Sequence, residues 1–227
     1  MASQAAITKI GVVIPAYNNQ PALDCVLQQL ENLHHLIVVV DDGSDPPLQG
    51  TIGHFIRHDK NRGYGAAQKT GFEYCLHHQV DAIALIHGDN QYHPQTILAH
   101  LALLDKADVI LGSRMLINHG QDIPTWRRIG NRTLTTIANQ VFGSRCTDLH
   151  TGARIYSRVF LGAVPYSSFS DNFVFDQQML VWGLTNNITL MEFPIPPKYD
   201  HTVSSISFRG AVRYGFGCLR EIYRNQP

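Results

Sequence analysis

The residues best suited to chemistry sit where apolar runs end in acidic residues and glycine. Ala84 to Pro94 reads A-L-I-H-G-D-N-Q-Y-H-P, an apolar stretch that halts at His87-Gly88-Asp89. Such a run reads as a buried parallel strand, and in open α/β sheets ligands bind just beyond the carboxyl ends of these strands. Asp89 therefore stands at the mouth of a site, where a carboxylate can hold a cation. Gly88 lets the backbone come close to a bound group, and Pro94 starts a helix whose first amides face the same crevice. A lone carboxylate in this place serves as readily to cap the next helix. A second strand end of the same construction, Val38-Val39-Val40-Asp41-Asp42-Gly43-Ser44, weighs toward a site.

Charge is distributed unevenly along the 227 residues although the formal net charge is zero. Residues 1–110 carry 6 Lys/Arg against 11 Asp/Glu, and residues 111–227 carry 12 against 7. The acidic half suits a cation, and the arginine-rich half suits phosphate or anionic lipid. Hydrophobic content of 44% and charged content of 16% are those of a soluble globular chain rather than a disordered one. Cys25, Cys75, Cys146 and Cys218 are widely separated, with no C-x-x-C, and read as reduced thiols of a cytoplasmic protein. Residues 1–8 lack the pattern of a signal peptide, and no apolar run approaches the ~18 residues of a bilayer span, so any membrane contact is expected to be peripheral.

The elements that must position these residues alternate. Apolar runs at Ile10 to Ile14, Leu36 to Val40, His54 to Arg57, Ala82 to Ile86 and Val109 to Leu111 predict strands. Between them, Leu23, Val26, Leu27 and Leu30 mark one helix, Ala66 to Leu76 a second and Thr96 to Leu104 a third. This rhythm predicts parallel pairing through right-handed crossovers and an α/β sandwich with its functional loops on one edge. Beyond Gly112-Ser113-Arg114 the rhythm changes. Leu134 to Phe142 marks a helix, Asp148 to Gly152 a polar turn, Arg154 to Tyr156 a strand, Phe175 to Gly183 a helix and Ile188 to Phe193 a last strand. Phe208 to Arg224 is amphipathic, with Arg209, Arg213, Arg220 and Arg224 on one arc and Phe208, Val212, Leu219, Ile222 and Tyr223 beside it. Such a helix can lie on an anionic membrane, or pack its apolar face on the domain. Glycines 210, 215 and 217 weaken it in isolation and weigh toward packing.

In order along the chain, Val13-Ile14-Pro15-Ala16-Tyr17-Asn18, Val40-Asp41-Asp42-Gly43-Ser44, Asn61-Arg62-Gly63-Tyr64-Gly65, Gly88-Asp89-Asn90-Gln91 and Gly112-Ser113-Arg114 resemble glycosyltransferase family 2. Asp148 to Arg154, Phe173 to Asp176, and Tyr199 followed by Ser204-Ser205 are similar to its dolichol-phosphate mannose synthase and polyprenyl-phosphate branch. The resemblance implies a single GT-A domain: a mostly parallel nucleotide-binding sheet flanked by helices, with a nucleotide-binding half (1–114), an acceptor half (115–205) and the C-terminal amphipathic helix (206–227). It implies transfer of a sugar, with inversion, from a nucleotide diphosphate sugar to a polyprenyl phosphate, aided by Mg²⁺ or Mn²⁺. No nucleic-acid partner is expected.

Carried onto this chain, the resemblance gives Pro15, Tyr17, Val40 and Asp42 to the base and ribose, with Asp41 beside them. Asn19 stands where the mannose synthases have a glutamate on the base. Asp89 would bind the metal, Gln91 would line the sugar site, and Arg114 would meet the donor. Arg154 would take the acceptor phosphate, and Lys198 would lie in a late loop over the donor. Where the family has Asp-x-Asp, this chain has His87-Gly88-Asp89; His87 either faces the metal or nucleotide, or only bonds backbone. A phosphate acceptor needs no general base, whereas a hydroxyl acceptor would need Asp176 or Asp148. A hydroxyl acceptor, or an inactive nucleotide-sugar-binding relative, is the competing reading. A dinucleotide oxidoreductase is set aside because no G-x-G-x-x-G follows the first strand.

Overall fold

The computed structural model describes residues 9–118, 123–196 and 208–225. Seven strands form one sheet in the order β3-β2-β1-β4-β6-β5-β7. The first four are β1 (Ile10–Ala16), β2 (Leu36–Asp41), β3 (His54–Arg57) and β4 (Ala82–Leu85), all parallel. β5 (Val109–Ser113) pairs in parallel with β7 (Leu190–Pro194). Along β1 and β2 successive side chains point to opposite faces. Val12, Ile14 and Val39 join Leu23, Val26 and Leu30 of α1 (Gln20–Leu30) on one face. Val13, Val38 and Val40 join Phe72 of α2 (Tyr64–His77) and Phe175, Met179 and Leu180 of α6 (Phe175–Thr185) on the other. Strands covered on both faces explain the unbroken apolar runs in the sequence.

β6 (Arg154–Ser157) is the antiparallel member of the mostly parallel sheet. It lies between β4 and β5 and runs antiparallel to both, with Arg154 opposite Leu85 and Leu111. Its start therefore lies at the sheet edge where β4 and β5 end. The polar turn 148–153 thereby joins the loops that follow β1, β2, β4 and β5. Parallel pairing would have sent that turn to the far edge.

The helices differ from the periodicity in three places. The expected helix from Thr96 to Leu104 divides into α3 (Pro94–Leu98) and a 3₁₀ turn, Leu101–Asp105. α4 (Thr125–Phe142) begins well before Leu134. A short α5 (Arg158–Ala163), capped by Ser157, follows β6. α7 (Phe208–Arg224) buries Cys218 and Ile222 against the fold and packs beside α4 and α6. All four cysteines are free thiols. Among the described residues no helix is long and apolar enough to cross a membrane.

Candidate active site

A cleft of about 850 Å³ opens at the carboxyl ends of β1, β2, β4 and β5 and is closed on its far side by α4 and α7. At one end β1 delivers Pro15 and Tyr17, the latter 48% exposed. Asn19 lines the same end and caps α1, its Oδ1 accepting the Ala22 amide at 3.3 Å. Asp42 lines the floor. Its carboxylate accepts three hydrogen bonds, from His58 Nδ1 (2.6 Å) and the amides of Arg62 (2.9 Å) and Gly63 (2.8 Å). One acidic side chain thus fixes the loop that launches α2.

At the end of β4 the two readings of Asp89 separate. His93 occupies the cap position of α3, and α3 does not line the cleft. Asp89 instead lines the cleft, with Oδ1 accepting the Gln91 amide at 3.0 Å and Oδ2 without a partner among the described residues. Gly88 is needed for close approach: a Cβ there would lie 2.8 Å from Ala16 Cβ and 3.0 Å from the Pro15 carbonyl. The carboxylate is thereby held against the end of β1, facing the same space as Gln91 and Asp42.

His87 faces the cleft too, but its Nε2 lies 2.5 Å from the Tyr64 hydroxyl. Tyr64 stacks on Phe173 at 5.2 Å, so the imidazole belongs to a bridge from β4 to α2 and the loop before α6. Burial, with the negative charge of Asp176 behind it, pushes the Tyr64 phenol well above its ordinary pKa, so it stays protonated and donates to Nε2. A cation at Nε2 would have to displace that hydroxyl. The ring also occupies the space in which a Cβ on residue 152 would stand. Gly152→Ala is therefore expected to expel the His87 ring, costing about 1–3 kcal/mol as overpacking does. Urea unfolding measures the loss; an unchanged midpoint would mean the ring has other room.

Beyond β5, Arg114 lines the cleft and is held by a bidentate pair: Nε to Asp148 Oδ2 at 2.6 Å and Nη2 to Asp148 Oδ1 at 2.9 Å. Asp148 is fully buried and has no surface in the cleft. Its burial opposes ionisation, yet the Arg114 charge and hydrogen bonds prevail and hold the carboxyl below its ordinary pKa. Asp176, in the first turn of α6, lines the cleft with Oδ1 accepting Gln68 Nε2 at 2.8 Å and Oδ2 3.7 Å from Arg154.

Four expected contacts do not reach the cleft. Val40 is core, packed with Val13 and Val38. Asp41 turns away to accept the Ser44 and Leu48 amides, with Arg57 at 3.6 Å. Asp148 stands behind Arg114. Arg154 is wholly buried and donates to the carbonyls of Thr151, Leu149 and Asp176. Burial alone would lower its pKa, but Asp176 and the phenol of Tyr156 outweigh it, so the guanidinium keeps its charge. Arg154 thus braces the turn and Asp176 from behind rather than meeting an acceptor. Lys198 lies outside the described residues.

The residues that sequence reasoning missed form the remaining wall: His150 on the turn before β6, Trp126 and Leu134 of α4, and Val212, Phe216 and Leu219 of α7. The cleft thus runs from a floor of Asp42, Asp89 and Arg114 to an apolar exit between two helices. The family model Glycosyl transferase family 2 matches residues 11–164. The chain belongs to that family. This glycosyltransferase is 24% identical to a UDP-N-acetylglucosamine–dolichyl-phosphate N-acetylglucosaminyltransferase of Methanococcus voltae, covering 91% of this chain and 92% of the relative. It is 27% identical to a polyprenol monophosphomannose synthase of Mycolicibacterium smegmatis, covering 81% of this chain and 75% of that one. Its fold matches glucosyl-3-phosphoglycerate synthase of Mycobacterium tuberculosis, crystallised with Mn²⁺ and uridine diphosphate, with a TM-score of 0.69 at 13% identity over 96% of this chain and 80% of the other. At that identity the likeness speaks for the fold, the GT-A arrangement of sheet and flanking helices.

Proposed function

We propose that the glycosyltransferase moves a sugar from a nucleotide diphosphate donor to a polyprenyl phosphate, with inversion and with a divalent cation on Asp89. The observation that carries this reading is that one cleft joins a charged floor to an end lined by Trp126, Leu134, Val212, Phe216 and Leu219, with Arg127, Asn131 and Thr133 among them. That sequence of surfaces fits an acceptor with an anionic head and a hydrocarbon tail. The two named relatives support it.

The donor's base and ribose would lie along Pro15, Tyr17, Asn19 and Asp42, and its diphosphate between Asp89 and Arg114. The phosphate oxygen of the acceptor attacks the anomeric carbon from the face opposite the diphosphate, and the nucleoside diphosphate departs with the bonding pair. A phosphomonoester has a second pKa near 6, so the nucleophile is anionic at pH 7 and no side chain need take a proton. Asp89 Oδ2 fits a cation, and among the described residues no three carboxylate, imidazole or thiol groups converge on one point. Donor phosphates and water would complete the shell. Held on Asp89, Mg²⁺ or Mn²⁺ would supply positive charge against that developing on the leaving diphosphate. Arg114, fixed by Asp148, supplies the same service from the opposite side.

The rim of the cleft along the helix pair supports docking on an anionic bilayer. Trp126, Ile129, Val212, Phe216 and Tyr223 are 43–70% exposed, flanked by exposed Arg213, Arg220 and Arg224. α7 therefore packs Cys218 and Ile222 inward and keeps Val212 and Phe216 half-exposed at the cleft mouth, with Tyr223 beyond them. Burying a phenylalanine in lipid yields about 1.5–3 kcal/mol, and each arginine near an anionic surface about 1 kcal/mol. Phe216→Ser with Arg220→Glu should weaken binding to phosphatidylglycerol vesicles by at least about 50-fold. Equal cosedimentation of variant and wild type would remove the bilayer from the reading.

Incubating the enzyme with a panel of nucleotide sugars, a short polyprenyl phosphate and Mn²⁺ tests the whole. Nucleoside diphosphate release that requires the lipid phosphate is the expected result. Release that requires a hydroxyl acceptor, and that disappears in Asp176→Asn, would overturn it in favour of base catalysis by the cleft carboxylate.

A further inference from the structure

We propose that His150 is a binding residue of the cleft, donating Nε2–H to a phosphoryl oxygen beside Arg114. The inference rests on the reading that a phosphorylated substrate occupies the cleft. His150 sits on the turn that the antiparallel β6 brings to the functional edge, and its backbone is tied at both ends. Its amide donates to Asp148 Oδ1 at 3.2 Å, and its carbonyl accepts Arg114 Nη2 at 2.9 Å. Its ring lines the cleft, edge-on to Tyr214 of α7 at 5.7 Å, with Nδ1 3.0 Å from the Tyr214 hydroxyl. Nε2 is buried and has no hydrogen-bond partner among the described residues. Buried polar atoms nearly always have partners, so one left open on a cleft wall marks a place where a ligand supplies the partner.

The surroundings say which ligand. Arg114, which lines the cleft, is joined to the His150 backbone and offers an anion a guanidinium neighbour, and no three metal-ligating groups converge among the described residues. Burial depresses the imidazole pKa to about 4; Asp148 opposes this, while Arg114 and Arg154 add to it. At neutral pH the ring is uncharged, with one proton to place. Burial pushes the Tyr214 phenol well above its ordinary pKa, so it stays protonated. With the Tyr214 O–H donating to Nδ1 at 3.0 Å, the proton stays on Nε2, the ring nitrogen left open. The helix that carries Val212 and Phe216 thus also sets the tautomer of a cleft histidine.

Long-range ¹H–¹⁵N spectra of the full chain, labelled at histidine, test this directly. The His150 ring should show the Nε2–H tautomer, and Tyr214→Phe should shift it toward a mixture. Two phosphate sources are titrated separately with binding followed by calorimetry: Mg²⁺ with uridine diphosphate, and geranyl phosphate. A change at Nε2 on adding the diphosphate places His150 on the donor; a change with geranyl phosphate places it on the acceptor. His150→Phe should weaken the responsible probe about tenfold or more, the size of a hydrogen bond to a charged group, and His150→Gln should restore part of it. Calorimetric binding of both probes with no change at Nε2 would overturn the inference and leave the proposed function standing. Binding of neither probe would remove both.

Discussion

Asp89→Asn is expected to lower sugar transfer by at least about 10³-fold while leaving the fold intact. Oδ1 of Asp89 holds only the Gln91 amide, which the carboxamide oxygen of asparagine can also do, so the turn should persist. What disappears is the one full negative charge that the end of β4 offers to a cation. His87 Nε2 is engaged by Tyr64, and no further carboxylate, imidazole or thiol completes a triplet among the described residues. Removing a single stabilising donor from a site of developing charge costs about 10²–10³ in rate, and an ion that balances two phosphates exceeds one donor. The same geometry predicts that metal and nucleotide bind cooperatively. A shell with one protein carboxylate is weak alone and strong once phosphate oxygens join it, and the coupling must be equal in both directions. Mn²⁺ alone should raise the melting temperature little, uridine diphosphate alone modestly, and the two together by more than the sum. Turnover that persists in the Asp89→Asn variant in the presence of chelator would show that the cation is not held there.

The contrast between Asp89 and Asp148 shows what a sequence discloses. Both are acidic residues beside glycine-rich polar segments. The apolar run before Asp89 identifies a strand end, and a strand end in a parallel sheet has a known functional direction. The same logic reached the strand end that carries Asp42, and the family resemblance reached Gln91 and Arg114; all three line the cleft. That logic could not reach the orientation of β6, because hydrophobic periodicity records which faces of a strand are buried and not which neighbour it pairs with. Asp148 and Arg154 look like ligands in the sequence because charged residues are rarely fully buried; in the fold they are buried because each has a partner, Arg114 and Asp176. Two expected substrate contacts are therefore the supports behind the residues that face the cleft. The first half of α4 escaped notice for the converse reason. Trp126, at the cleft mouth, and Ile129 are 43% and 60% exposed, so no buried apolar stripe marks that part of the helix.

Asp148→Ala should destabilise the protein by about 3–5 kcal/mol, the cost of breaking a buried ion pair and leaving one charge without its counterpart. Arg114 is only 7% exposed, so water can do little to compensate the stranded guanidinium. The Asp148 carboxylate also accepts the amides of Arg114 and His150, so the turn before β6 loses its anchor as well. The pH dependence has a definite sign. Asp148 titrates lower in the folded protein than its unfolded value of about 3.9, so its contribution is fully present above that value and fades only as pH falls through the lower folded one. The difference in unfolding free energy between wild type and Asp148→Ala should therefore be constant from about pH 7 to 5 and shrink only below about pH 4. Arg114→Met combined with Asp148→Leu separates the two roles of the pair. Replacing both charges with apolar groups of similar volume should recover most of the lost stability, because neither charge is then stranded. Sugar transfer should not recover if Arg114 serves the diphosphate as proposed, because the guanidinium is gone. A double variant that regains activity along with stability would show that Arg114 serves the fold alone.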